Sequence, residues 1–197
     1  MHEAFEHAFA TLDRGARFLG AGGGQAPIAM RSRYSVPVTG PYHAKVIGNG
    51  LRELDRFLNL LIDEAAHALG RPAFPGQRNT ANKLNGLYAS FGLAPRDDAR
   101  MRALGRSREC LFHCDGRVLR GDLRDGVRLT LGWPEVPGTD SPLRCVAIGE
   151  TMVVAREDLA DIAAFYRRLG SELCAVAIAG ERAVNLSEPD AGTRSSR

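Results

Sequence analysis

Residues 157–173 read EDLADIAAFYRRLGSEL, and the spacing of their apolar positions organises the reading of what surrounds them. Leu159, Ile162, Ala163, Tyr166, Leu169 and Leu173 recur three and four apart, which places them on one face of a helix. Glu157 and Asp158 stand where the positive end of the helix dipole favours carboxylates, so the helix is expected to begin there. Just upstream the period changes from helical to alternating. Val127, Leu129 and Leu131 are separated by Arg128 and Thr130, and Val146 and Ile148 lead through Gly149-Glu150 into Met152, Val153 and Val154. The pattern predicts a small antiparallel sheet or β-hairpin inserted before the final helix.

Moving further upstream, the helical period returns. Leu51, Leu54, Phe57, Leu58, Leu61, Ile62, Ala65 and Leu69 form a wide apolar stripe, giving a long helix that begins near Tyr42 and is ended by Gly70 and Pro72. Phe5, Ala8, Phe9 and Leu12 predict a first helix over residues 3–19. Asn79 is positioned to cap a third helix that carries Leu84, Leu87, Tyr88 and Phe91 and closes at Gly92. Asp97 and Asp98 open a fourth, ending between His113 and Gly116. Residues 20–41 are dense in Gly and Pro and read as a flexible loop; their glycines lack the Lys-Ser/Thr ending of a phosphate loop. Residues 187–197 are polar and aperiodic and are expected to be a disordered tail. The expected fold is thus one mainly α domain over residues 1–186, an antiparallel four- to five-helix bundle with a β insertion before its last helix.

Composition agrees with a single globular domain: 197 residues, 44% hydrophobic and 25% charged, are enough for a real core and exclude fibrous, collagen-like and wholly disordered chains. No apolar run approaches the roughly 20 residues of a membrane helix, and Glu3 and Glu6 in MHEAFEHAF replace the basic-then-apolar pattern of a secretory leader. A cytoplasmic protein with no membrane partner is expected. Cys110, Cys114, Cys145 and Cys174 show no CxxC pair and are read as reduced. Cys110, His113 and Cys114 share a helix face but lack a fourth ligand and paired spacing, so neither a metal site nor a cofactor is expected.

Of the 26 basic residues only Lys45 and Lys83 are lysines, and the arginines are unevenly spread. Coding bias accounts for part of this, but the planar guanidinium also suits phosphate and carboxylate recognition. Between Arg100 and Arg128 eight arginines face four acidic residues, so a polyanion is expected to bind there first.

Within that stretch, residues 102–118 read RALGRSRECLFHCDGRV. Arg108 is followed by His113 after four intervening residues, and Arg106 by the same His after six. This segment resembles the signature of the HEPN family of helical-bundle domains, an Arg followed by a His after four to six positions near the end of a bundle helix. Many members of that family are metal-independent RNases of toxin–antitoxin and antiviral systems. The similarity in layout extends over residues 42–175. It implies RNA cleavage by the substrate's own 2′-hydroxyl, with His113 as acid or base and Arg108 or Arg106 holding the phosphate. It also implies a homodimer in which two copies of the motif face one another, RNA as partner, and a cognate antitoxin or partner protein. Arg102, Arg117 and Arg120 are the expected flanking RNA contacts.

Helical geometry adds an independent constraint. Arg102, Arg106, Glu109 and His113 fall on one polar strip, whereas Arg108 projects among Met101, Leu104, Leu111 and Phe112, where it must find a carboxylate, water or a partner subunit. The family pattern therefore points to Arg108 and the face geometry to Arg106. Glu109 departs from the neutral amide common at its position and should repel RNA unless it pairs with Arg106 or Arg102, so it is expected to modulate or remove catalysis. The alternative function is a non-catalytic helical dimerisation or adaptor module, with the polar strip as its interface.

Overall fold

The wide apolar stripe of the second helical segment folds as a helix at His43–Ala68 and becomes the centre of the domain. The computed structural model describes residues 3–21, 37–40, 42–71, 77, 79–94, 96–124 and 126–187, with side chains to residue 179. Among these, five helices and one two-stranded sheet occur: α1 (Glu3–Gly20), α2 (His43–Ala68), α3 (Thr80–Ser90), α4 (Asp98–Cys114), β1 (Arg128–Pro134), β2 (Leu143–Ala147) and α5 (Arg156–Ser187). The chain is mainly helical, with its small antiparallel sheet before the last helix. The greater part of the Gly/Pro loop expected at 20–41, and residues 188–197 of the expected tail, lie outside the described residues.

α2 packs against all four other helices, and α1 and α5 also pack against each other. Leu58, Leu61 and Ile62 of α2 meet Phe5, Leu12 and Ala16 of α1 and Ile162, Leu169 and Leu173 of α5 in one apolar core. Each such side chain, fully removed from water, contributes about 1.5–3 kcal/mol. Asn79 caps α3 as its spacing predicts, its Oδ1 accepting from the Asn82 N–H at 3.2 Å. α5 runs on to Ser187, well past the last residue of the stripe that identified it.

The sheet differs in detail from its expected form. β1 and β2 pair in the register Arg128↔Ala147, Leu129↔Val146 and Thr130↔Cys145, then slip before Pro134↔Leu143. Pro134 has no N–H to donate, so the regular ladder breaks on its side. The Gly132 backbone turns instead to α4: its N–H donates to Ser107 Oγ at 3.2 Å and its carbonyl accepts from Arg100 Nε at 3.1 Å. Met152, Val153 and Val154 are not a strand. Met152 and Val154 are buried and Val153 is exposed, so the alternation is real, but only isolated bridges flank it: Arg117 with Thr151 and Pro37 with Ala155. Alternating burial requires a core on one side; it does not require a continuous strand ladder.

Two ion pairs fasten α5 to its neighbours, one to the sheet and one to α4. Asp158 is fully buried, accepts from the Ala155 N–H at 2.8 Å and holds the Arg144 guanidinium of β2 at 3.1 Å. It thus reaches back to cap the helix start and anchors β2 at once. Arg100 of α4 pairs with Asp161 of α5 while its guanidinium lies 4.2 Å from the centre of the Phe165 ring.

Leu58→Asp and Ile162→Asp should each abolish the cooperative thermal transition followed by circular dichroism, because both positions have no exposure and offer no partner for a charge. Gly132→Ala should lower stability by about 1–3 kcal/mol in the same measurement. A Cβ at Gly132 would come within 2.3 Å of the Leu104 side chain and 2.8 Å of its Cα, so β1 would have to move off α4.

Candidate functional site on α4

α4 ends at Asp115 and Gly116, both in the left-handed region at φ 52° and 79°, and the Gly116 N–H returns to the Cys110 carbonyl at 3.1 Å. The chain then pairs briefly with residues 149–152: Val118 N–H donates to Glu150 O and Met152 N–H to Gly116 O. This turn lays Leu119, Arg120 and Gly121 alongside the helix. Between them, α4 and the start of α3 lies an open pocket of about 850 Å³.

Arg102, Arg106, Arg108, Glu109, His113 and Arg120 all line this pocket; Arg117 does not. The expected polar strip of α4 therefore faces one cavity, and Arg108 reaches the same cavity from the neighbouring face. Its guanidinium donates to Asp55 Oδ2 of α2 at 3.0 Å and to Glu109 Oε1 at 2.7 Å. The carboxylate that its place among apolar residues demands comes from within the chain. Glu109 does not pair with Arg102 or Arg106. One of its oxygens takes Arg108 and the other stands 3.3 Å from His113 Nε2, the i,i+4 neighbour on the helix. The two ends of the Arg-x4-His pattern are thus joined through one carboxylate.

The remaining arginines are held differently. Arg102 donates to Asp98 at 2.8 Å and to Asn82 Oδ1 at 2.7 Å. Arg106 Nε lies 2.8 Å from Asp122 Oδ1 without forming a directed hydrogen bond, so that contact is an ion pair alone. Asp122 is itself fixed by the Thr130 N–H and hydroxyl. Arg120 is exposed and has no hydrogen bond or ion pair among the described residues. His113 is largely exposed, its ring edge-on to Phe112 at 4.8 Å.

Burial pushes the Asp55 carboxyl up from its ordinary value, opposed by the Thr80 hydroxyl and by Arg108. Thr80 in turn accepts from Asn59, which accepts from the buried Lys83, so a polar chain crosses α2 and α3 behind the pocket. Burial also pushes the Cys110 thiol up to about 11, so at neutral pH it is a thiol and a poor nucleophile. Among the described residues no three His, Cys, Asp or Glu side chains are grouped to hold a metal ion. The site offers one exposed imidazole, one uncommitted guanidinium and three guanidiniums held by carboxylates: groups for proton transfer and anion binding.

Sequence reasoning did not single out Asp55, Thr80 or Asp122. A signal for Asp55 exists, since it stands among Leu51, Leu54, Leu58 and Ile62 on the α2 stripe just as Arg108 stands on the apolar face of α4. Opposite charges interrupting two apolar stripes are candidates for each other. Asp122 carries no comparable signal, because its partner is brought to it by a loop.

Compared with family models, with curated proteins and with solved structures, the chain matches none.

A double-mutant cycle tests the pocket's internal support. Asp55→Ala and Arg108→Ala should each cost about 1–3 kcal/mol in denaturant unfolding, and the double variant should cost less than their sum by about 1 kcal/mol or more. Additive losses would show that the two side chains are energetically separate.

Proposed function

We propose that this is a cytosolic RNA-binding protein of HEPN-like helical-bundle architecture whose α4 pocket is a metal-independent endoribonuclease site, completed by a second copy in a homodimer. The observation that carries this reading is the convergence of His113, Arg102, Arg106, Arg108 and Arg120 on one open pocket. His113 takes the proton from the 2′-hydroxyl or gives one to the leaving 5′-oxygen, and a single imidazole cannot readily do both. The second His is the partner copy's, as the family resemblance implies. Arg120 is the guanidinium ready for phosphate; Arg106 and Arg108 reach it by exchanging a carboxylate partner for a phosphate. Arg102 and Arg117 extend the basic surface along the RNA. A toxin–antitoxin or antiviral setting, with a cognate antitoxin, follows from the same resemblance.

One observation favours the second reading, a non-catalytic dimerisation or adaptor module: Arg102, Arg106 and Arg108 each already have a carboxylate in place. Such pairing holds α4 to its neighbours and to that extent opposes phosphate binding.

Purified protein incubated with mixed RNA in EDTA decides between them. The nuclease should release fragments with 2′,3′-cyclic phosphate ends, and His113→Ala should lower the rate by about 10²-fold or more. Arg108→Ala and Arg120→Ala should each cost roughly 10- to 150-fold, the worth of one charge-assisted contact. Glu109→Gln keeps an acceptor while removing a negative charge, so cleavage should persist or rise. Full activity of a folded His113→Ala variant, loss of activity with EDTA alone, or a strict monomer by light scattering at tens of micromolar would overturn the composite metal-free site.

A further inference from the structure

Five glycines of the helices are accounted for by what they touch. A Cβ on Gly15 would meet Phe57 at 3.0 Å, on Gly20 Ala163 at 2.8 Å, on Gly48 the Phe112 backbone at 3.0 Å, on Gly50 Leu19 at 2.9 Å and on Gly170 Leu12 at 3.1 Å. Each lets a neighbouring helix close in. Gly105 is different. It stands in the interior of α4, where glycine weakens a helix relative to alanine. Yet, its chain neighbours and the backbone of its own turns aside, no atom of the described residues comes within 4 Å of where its Cβ would be. The packing of the described residues has no use for the gap. The gap opens instead into the pocket, which Gly105 lines together with Arg102 and Glu109, one turn to either side of it.

We propose that Gly105 is the floor of a nucleobase subsite, in which one base of the bound RNA lies flat on the bare backbone of α4 and is covered by Leu119 from the facing wall; the inference rests on the RNA reading of the pocket. An anion is not what the gap suits. The Gly105 N–H lies beyond the first four of α4 and is engaged within the helix, so the backbone there has no donor to give a phosphate. It gives a flat surface with no side chain in the way, which is what a planar ring needs for close approach. Leu119 is 62% exposed and lines the same pocket, so it has aliphatic surface for a base to cover. The lining contains no Phe, Tyr or Trp, and the base is therefore held between backbone and aliphatic side chain instead of on an aromatic ring. Gly105 precedes His113 by eight residues, about 12 Å along the helix axis. The base it holds belongs to a nucleotide flanking the cleaved linkage.

Fluorescence anisotropy with two labelled probes tests it: a mixed-sequence 2′-O-methyl RNA hexamer, which lacks the attacking hydroxyl and stays intact, and a base-free hexamer of the same sugar–phosphate chain. The parent protein should bind the base-bearing probe more tightly than the base-free one. Gly105→Leu, which fills the gap with a good helix former, should cut that advantage about tenfold or more while leaving the base-free probe unaffected. Gly105→Ala should raise the melting temperature by about 2–4 °C, and Gly105→Leu should melt no lower than the parent. An advantage that survives Gly105→Leu, or equal binding of both probes by the parent, would overturn the subsite and leave the RNA reading standing. Equal weakening of both probes by Gly105→Leu would do the same, because the gap would then make room for the sugar–phosphate chain. A fall in melting temperature in either variant would show that the fold itself needs glycine there, and would also overturn it. Failure of the parent to bind either probe would remove the RNA reading, and the subsite with it.

Discussion

α4 is held backbone to backbone on two sides, and the rest of the candidate site depends on that. On α2, a Cβ at Gly48 would meet the Phe112 nitrogen at 3.0 Å; on β1, a Cβ at Gly132 would overlap Leu104. Glycine at these two places lets helix and strand approach α4 more closely than side chains would allow. The close seat on α2 brings Asp55 to Arg108, and the seat on β1 brings the loop after α4 back along the helix so that Asp122 reaches Arg106. Arg100, tied to both Gly132 and Asp161, completes the hold near the start of α4. The pocket is the space left beside a helix held on both of these sides.

The arginine excess of the sequence acquires a physical division of labour. Much of it is internal fastening: Arg144 with Asp158 ties β2 to the start of α5, and Arg100 with Asp161, Arg168 with Asp97 and Arg167 with Asp13 join segments distant in the chain. Exposed pairs of this kind contribute little singly, while those reaching buried carboxylates fix geometry more than they add stability. Arg117, Arg120, Arg124 and Arg128, by contrast, have no ion-pair partner among the described residues. Composition alone counts both groups together; only the carboxylates around them separate structural guanidiniums from available ones.

What was legible in the sequence was what local periodicity can carry. The five helices follow from apolar spacing and end signals such as Asn79 and Gly92, and β1 follows from the alternation of Leu129 and Leu131. The polar strip of α4 was legible for the same reason, since all its members ride on one helix. The second strand was legible only in part: Val146 falls within β2, but Ile148 lies beyond its end, and Met152, Val153 and Val154 alternate in burial with only isolated bridges at their flanks. The partners of the strip were out of reach. Asp55 is 53 residues from Arg108, and no local pattern states which of several acidic residues a guanidinium will meet.

The contact between α1 and α5 has a consequence for how the chain reaches this state. Asp13 and Arg167, 154 residues apart, are joined at 2.8 Å, and the apolar faces of both helices close over α2. A chain leaving the ribosome in order presents α1 and α2 long before α5 exists to cover them. Their apolar faces must wait, exposed or in provisional contacts, until nearly all of the described domain has been made. Domain closure is therefore a late, long-range event, and the interval before it is when the nascent protein is most open to aggregation and to the attention of chaperones.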